Sequence, residues 1–164
     1  KLPISIPRHS GQIQMIYNHK PSQYFHKYID GPSTPLYPFG FGLSYTRFAY
    51  SSLKLSHTRI SDKDSFTASI ELTNVGDREG TEVVQLYIRD IYSSATRPVK
   101  ELKDFARVTL KPGEKKTVTF TVTPDKLAYW NRNMQYGVEK GEFEIMIGSS
   151  SQDKDLKKVK MEVL

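Results

Sequence analysis

From Arg47 onward the hydrophobic period of the chain becomes two, and this alternation limits what it can fold into. Phe66, Ala68, Ile70 and Leu72 alternate with Thr67, Ser69, Glu71 and Thr73, the signature of a strand with one buried face. Residues 81–90 (TEVVQLYIRD) repeat the pattern, with Val84, Leu86 and Ile88 on one face and Val83, Gln85 and Tyr87 on the other. Phe48, Tyr50, Leu53 and Leu55 predict an earlier strand, irregular at Ser51-Ser52. Residues 99–110 supply one strand or two short ones, and 116–123 alternate through Val118, Phe120 and Val122. Residues 141–147 and 157–164 close the set. Turn chemistry separates these runs: Asn74-Val75-Gly76-Asp77, a loop at 91–98, Lys111-Pro112-Gly113-Glu114, and a corner or single helical turn at 124–130. Seven to eight short strands so punctuated predict an all-β fold, an immunoglobulin/fibronectin type III-like antiparallel sandwich with an irregular N-terminal arm.

The arm is residues 1–46, and the sandwich is expected at 47–164. Leu2-Pro3-Ile4-Ser5-Ile6-Pro7 alternates well enough for one short strand, which its prolines restrict to an edge or terminus. Tyr17, Tyr24, Phe25 and Tyr28 follow among loop residues. The arm ends in PLYPFGFGLSYT, residues 35–46, whose prolines stiffen the backbone while its aromatics demand a surface. A loop so rich in rings is expected to wrap over a partner surface, or to pair with a second copy of the chain. Beginning at Lys1 without a methionine or a signal-like segment, the chain reads as a piece of a longer polypeptide.

Composition narrows the chemistry. With no cysteine, disulfides, thiolate metal sites and cysteine nucleophiles are excluded. The formal charge of +6 does not predict nucleic-acid binding, because no basic stripe forms. Only Lys154, Lys157, Lys158 and Lys160 cluster, beside Asp153 and Asp155, as on a solvated strand edge. No apolar run is long enough to cross a bilayer as a helix, and no membrane partner is expected.

No catalytic constellation emerges. The carboxylate pairs Asp62/Asp64, Asp77/Glu79 and Glu142/Glu144 read as strand and turn charges, with no apolar pocket signalled beside them. His9, His19, His26 and His57 match no metal-ligand spacing. No serine lies in a Gly-x-Ser-x-Gly turn, and Gly40 and Gly42 precede no helix that would present amides to phosphate. No cofactor and no metal are expected. Among the aromatics, Trp130 is read as closing one end of the core; the alternative is a sugar-stacking platform with Tyr129 and Tyr136. Tyr92 lies in the 91–98 loop, where Ser93, Ser94, Thr96 and Arg97 are placed to reach a hydroxyl, although an ordinary solvated loop accounts for them as well.

Block by block, the chain resembles the C-terminal region of family 3 glycoside hydrolases, the β-glucosidases and β-xylosidases. KLPISIPRHSGQIQMIYNHK, residues 1–20, resembles the end of that family's α/β sandwich domain. PLYPFGFGLSYTRFAYSSLKLS resembles the connector that follows. ASIELTNVGDREGTEVVQLYIRD, RPVKELKDFARVTLKPGEKKTVTFTV and GEFEIMIGSSS resemble successive blocks of its fibronectin type III-like domain. Two positions depart from the family pattern, Gln14 where proline is usual and Gln23 where arginine is frequent.

What the resemblance implies is a non-catalytic structural domain bracing the catalytic domains of a retaining β-glycosidase. In that family the nucleophile is an aspartate of the N-terminal barrel and the acid/base usually a glutamate of the second domain, so neither falls on this chain. The fragment alone is expected to be inactive. Its expected partners are the upstream catalytic domains, with oligosaccharide met only through the parent enzyme. A periplasmic or secreted location is implied in the same way. By analogy the 91–98 loop is the one that approaches substrate, and Tyr92, Ser94 and Arg97 are its candidate substrate-binding residues. A stand-alone carbohydrate-binding module, which would need Trp130 or Tyr92 exposed and coplanar with a second ring, and a protein-interaction module are the competing readings.

Overall fold

A computed structural model describes residues 1–12, 15–21 and 31–164. Tyr24, Phe25, Tyr28, His26, Gln14 and Gln23 lie outside the described residues. The alternating runs form strands β1 (Phe48–Tyr50), β2 (Lys54–Leu55), β3 (Arg59–Ile60), β4 (Phe66–Asn74), β5 (Gly80–Asp90), β6 (Glu101–Leu110) and β7 (Lys115–Val122). After a single helical turn, α1 (Pro124–Leu127), come β8 (Tyr129–Trp130), β9 (Tyr136–Gly137), β10 (Gly141–Gly148) and β11 (Leu156–Val163).

One sheet has β4 at its centre, paired with β1, β2 and β7; the other runs β3-β11-β10-β5-β6. The expected break at Ser51-Ser52 is real. It divides one edge strand into β1 and β2, and the Ser51 hydroxyl accepts from the Glu71 amide where the ladder lapses. Inward residues meet as the alternation requires: Ile70 opposite Val118, Ala68 opposite Phe120, Leu86 opposite Ile147 and Ile88 opposite Ile145. All of these belong to one buried cluster shared by both sheets. The all-antiparallel expectation needs one correction, since β3 pairs with β11 in parallel through Arg59–Glu162 and Ile60–Val163. A two-residue segment leaving the other sheet has no hairpin route to that edge.

β5 is covered on both faces. Gln85 and Tyr87 point away from the core yet are buried, because the arm lies over them. Tyr17 stacks on Phe39 with centroids 4.0 Å apart and meets Tyr87 edge-on at 6.0 Å. Around them pack Met146, Leu156 and Leu102, a second small core. Gln85 Nε2 donates to the Gly40 carbonyl at 3.1 Å and the Ser149 carbonyl at 2.7 Å, while the Tyr87 hydroxyl donates to Gln85 Oε1. The Ser151 amide donates to Phe39 O, and Lys1 pairs with Glu82 at 2.7 Å.

Part of the surface that the arm's rings demand is thus supplied by the chain itself. Tyr17 and Phe39 find it on β5. Residues 2–6 run beside 36–41 through Leu2 N to Phe41 O, Gly40 N to Leu2 O and Ile6 N to Tyr37 O. Only the Ile6–Tyr37 bridge is registered there, since Pro3 and Pro7 have no amide to extend a ladder.

The connector is tied down at its other end by Asn74, which is fully buried. Its amide donates to the carbonyls of Arg78 and Leu110, and its oxygen accepts from the Thr46 hydroxyl at 2.7 Å and the Gly76 amide at 3.0 Å. All hydrogen-bonding capacity of that side chain is used. Between the two anchors Leu43 and Tyr45 project into solvent, 90% and 92% exposed. Tyr45 and Val75 line a shallow cleft beside Thr46.

Candidate functional site

One end of the sandwich gathers every residue singled out for sugar contact. The loop 91–98 leaves β5 there, and the β8–β9 hairpin stands against it. Ser94 joins the two: its hydroxyl donates to Glu139 Oε1 at 2.6 Å and accepts from the Arg132 amide at 3.4 Å. Its amide reaches Glu139 Oε2 at 2.9 Å, and the Tyr129 hydroxyl donates to the same carboxylate. Donation from Ser94 and then Tyr129 holds the Glu139 carboxyl below the usual range. Partial burial, followed by the bond to Glu139, pushes the Tyr129 phenol up. Glu139 was not legible as a member of this site, because nothing in its sequence neighbourhood marks a carboxylate ten residues from a tyrosine as its partner.

Arg97 is turned inward, which corrects its placement among residues reaching a ligand hydroxyl. Its guanidinium donates to the Leu127 carbonyl at 2.9 Å and to Glu101 Oε2 at 2.5 Å, lies 3.4 Å from Asp90 Oδ2, and covers the Tyr129 ring at 4.6 Å. It cross-links the end of β5, α1 and the start of β6. Burial raises the Asp90 carboxyl to about 6, opposed by the Arg97 charge. Tyr92, by contrast, is open to solvent at 79% exposure. Of the three candidates, Tyr92 faces water, Ser94 is engaged in holding the hairpin, and Arg97 is an internal strut.

Trp130 is not a core residue. It is 61% exposed, and Tyr136 opposite it in the hairpin is 55% exposed. The end of the core is closed by Leu127 of α1 instead. Trp130 and Tyr136 have centroids 5.4 Å apart and planes inclined at 53°, so they form an open V and not a flat platform.

Elsewhere the acidic pairs are engaged as strand and turn charges. Asp64 accepts from the Ser61 amide at 3.0 Å, Glu142 pairs with Lys160 at 3.2 Å, and Asp77 pairs with Arg78. The His57 ring is exposed and meets the Ser56 hydroxyl at 3.1 Å. Among the described residues no group of three His, Cys, Asp or Glu side chains is placed to hold a metal ion.

The two sheets, their shared core and the loop-bearing end define a fibronectin type III-like domain, and the family described as "Fibronectin type III-like domain" matches residues 82–151. Over 161 residues the chain is 47% identical to a periplasmic beta-glucosidase of Salmonella typhimurium, covering 92% of this chain and 21% of that protein. It is 46% identical over 166 residues to a beta-xylosidase of Formosa agariphila, covering 99% of this chain and 23% of the relative. The structure of a β-glucosidase from Erythrobacter marinus superposes on all of this chain with a TM-score of 0.94 at 41% identity, using 22% of its own length. The chain belongs to the fibronectin type III-like C-terminal region of the family 3 β-glucosidases and β-xylosidases. It spans about a fifth of the length of the relatives it matches.

Proposed function

We propose that this chain is the non-catalytic brace of a retaining β-glycosidase, which releases terminal sugars from β-glucosides or β-xylosides with carboxylates carried on other domains. The observation that carries this reading is the exposed ridge of Leu43 and Tyr45 beside Val75. Contiguous exposed apolar side chains mark surfaces that another body covers. Here they sit on a connector fixed at both ends, by Gln85 at Gly40 and by Asn74 at Thr46. A ridge on so rigid a mount transmits the orientation of the sandwich to whatever docks on it. Its proposed occupant is the α/β domain of the same polypeptide. The 1–46 arm is the structural link, and 47–164 is the body it is attached to.

The test is a Leu43→Ser, Tyr45→Ser double variant, made both in this chain and in the complete polypeptide that carries it. The isolated chain is expected to keep its melting temperature and to show no hydrolysis of 4-nitrophenyl β-glucoside or β-xyloside. The complete polypeptide is expected to lose thermal stability in its catalytic part, and activity with it. Hydrolysis by the isolated chain, or an unchanged complete polypeptide, would overturn the proposal.

A further inference from the structure

We infer that the Trp130–Tyr136 pair is a binding site for a pyranose unit of a β-linked oligosaccharide, separate from any catalytic site. The sugar chemistry of the ligand rests on the proposed function; the existence of a built site rests on the hairpin itself.

Two large rings held in water are an unfavourable arrangement unless something covers them, and the hairpin keeps them there rigidly. The Asn131 amide donates to the Gln135 carbonyl and the Met134 amide to the Asn131 carbonyl, both at 3.0 Å. Asn131 Oδ1 accepts from the amides of Asn133 and Gln135 at 2.9 and 3.0 Å. Met134 is held in the left-handed region at φ 58°, a conformation that a non-glycine residue keeps only where its surroundings impose it. Ser94 then fixes the hairpin to the 91–98 loop through the Arg132 amide and Glu139. The rings are therefore oriented before any ligand arrives, which removes part of the ordering cost of binding.

Their chemistry selects the ligand. A pyranose offers C–H faces to the ring electrons and hydroxyls around its edge, and the same hairpin carries the exposed residues Asn133 and Gln135, whose side-chain amides can meet hydroxyls. Within 129–137 the only cation is Arg132, too little for a nucleic-acid backbone. The 53° inclination excludes stacking of both rings on one flat ribbon of sugars. It suits a single ring seated on Trp130 with Tyr136 against its edge, as at a chain end or in a twisted soluble oligosaccharide.

Trp130 is the only tryptophan of the chain, so its fluorescence reports on this site alone. The intact chain is titrated with cellotetraose, xylotetraose and laminaritetraose, followed by emission and by calorimetry. A saturable emission change with at least one of them is expected. Tyr136→Ala should weaken that association about tenfold, in line with the loss of one ring contact. Trp130→Ala should abolish the heat, with circular dichroism confirming that the sandwich is intact. Flat emission and heat with all three sugars would overturn the inference, as would binding that both variants leave unchanged. The Leu43/Tyr45 test reads a different surface through stability and hydrolysis, not through sugar binding, so either idea can fail without the other.

Discussion

At Gly40, conformation and packing make the same demand. Its φ of 77° favours glycine, and a Cβ there would stand 2.0 Å from Gln85 Oε1, the side chain that clamps the connector. Gly40→Ala is therefore expected to cost more than about 1 kcal/mol and to release the arm. Thermal unfolding together with timed trypsin cleavage after Arg8 checks it, and wild-type values in both would show that the clamp does not hold the arm. The conformational half of this was legible, since a glycine between Pro38 and Phe41 signals a turn. The Gln85 half was not. Alternation places Gln85 on the outer face of β5, where a polar residue ordinarily meets water, and only the arm's return from a position 45 residues away buries it.

For the elements, legibility followed length. β4, β5, β7, β10 and β11 each repeat the period often enough to be read locally, and each lies where the pattern put it. β8 and β9 are two residues each and carry no period, so the sequence offered only a corner and a lone tryptophan. Arg97 does lie in the loop, but nothing local marks it as buried. Its burial requires Asp90, Glu101 and the Leu127 carbonyl to converge from three elements. That junction makes a pH prediction. Burial lifts the folded-state pKa of Asp90 to about 6, with Glu139 adding to the rise, and Arg97 and the Tyr92 amide opposing it. A raised carboxyl pKa means the folded state holds its proton more tightly. The contribution is fully favourable below the ordinary carboxylate range and is lost as the pH rises through about 6. Relative to Asp90→Asn, the natural chain should gain on the order of 2 kcal/mol in unfolding free energy between pH 7 and pH 4. Denaturant titrations at the two pH values decide it, and parallel profiles for the two proteins would refute the assignment.

Across the whole molecule, the surfaces left open matter more than the core. With Tyr17 and Phe39 already covered by β5, Leu43 and Tyr45, the most exposed large apolar side chains among the described residues, are what would drive two isolated chains together, with Val75 beside them. Light scattering should show a concentration-dependent dimer that Leu43→Ser, Tyr45→Ser returns to monomer; a monomer at every concentration would argue against pairing through the arm. The sequence by itself determined the strands, the turns between them and hence a sandwich, because alternation and turn chemistry are properties of neighbouring residues. It also carried the likeness to the type III-like domains in the order of its blocks. Tertiary structure alone decided that the outer face of β5 is covered, that Arg97 points inward and that Trp130 stands in solvent. Burial is set by segments that meet in space, and no local pattern in a chain records which distant segment will arrive.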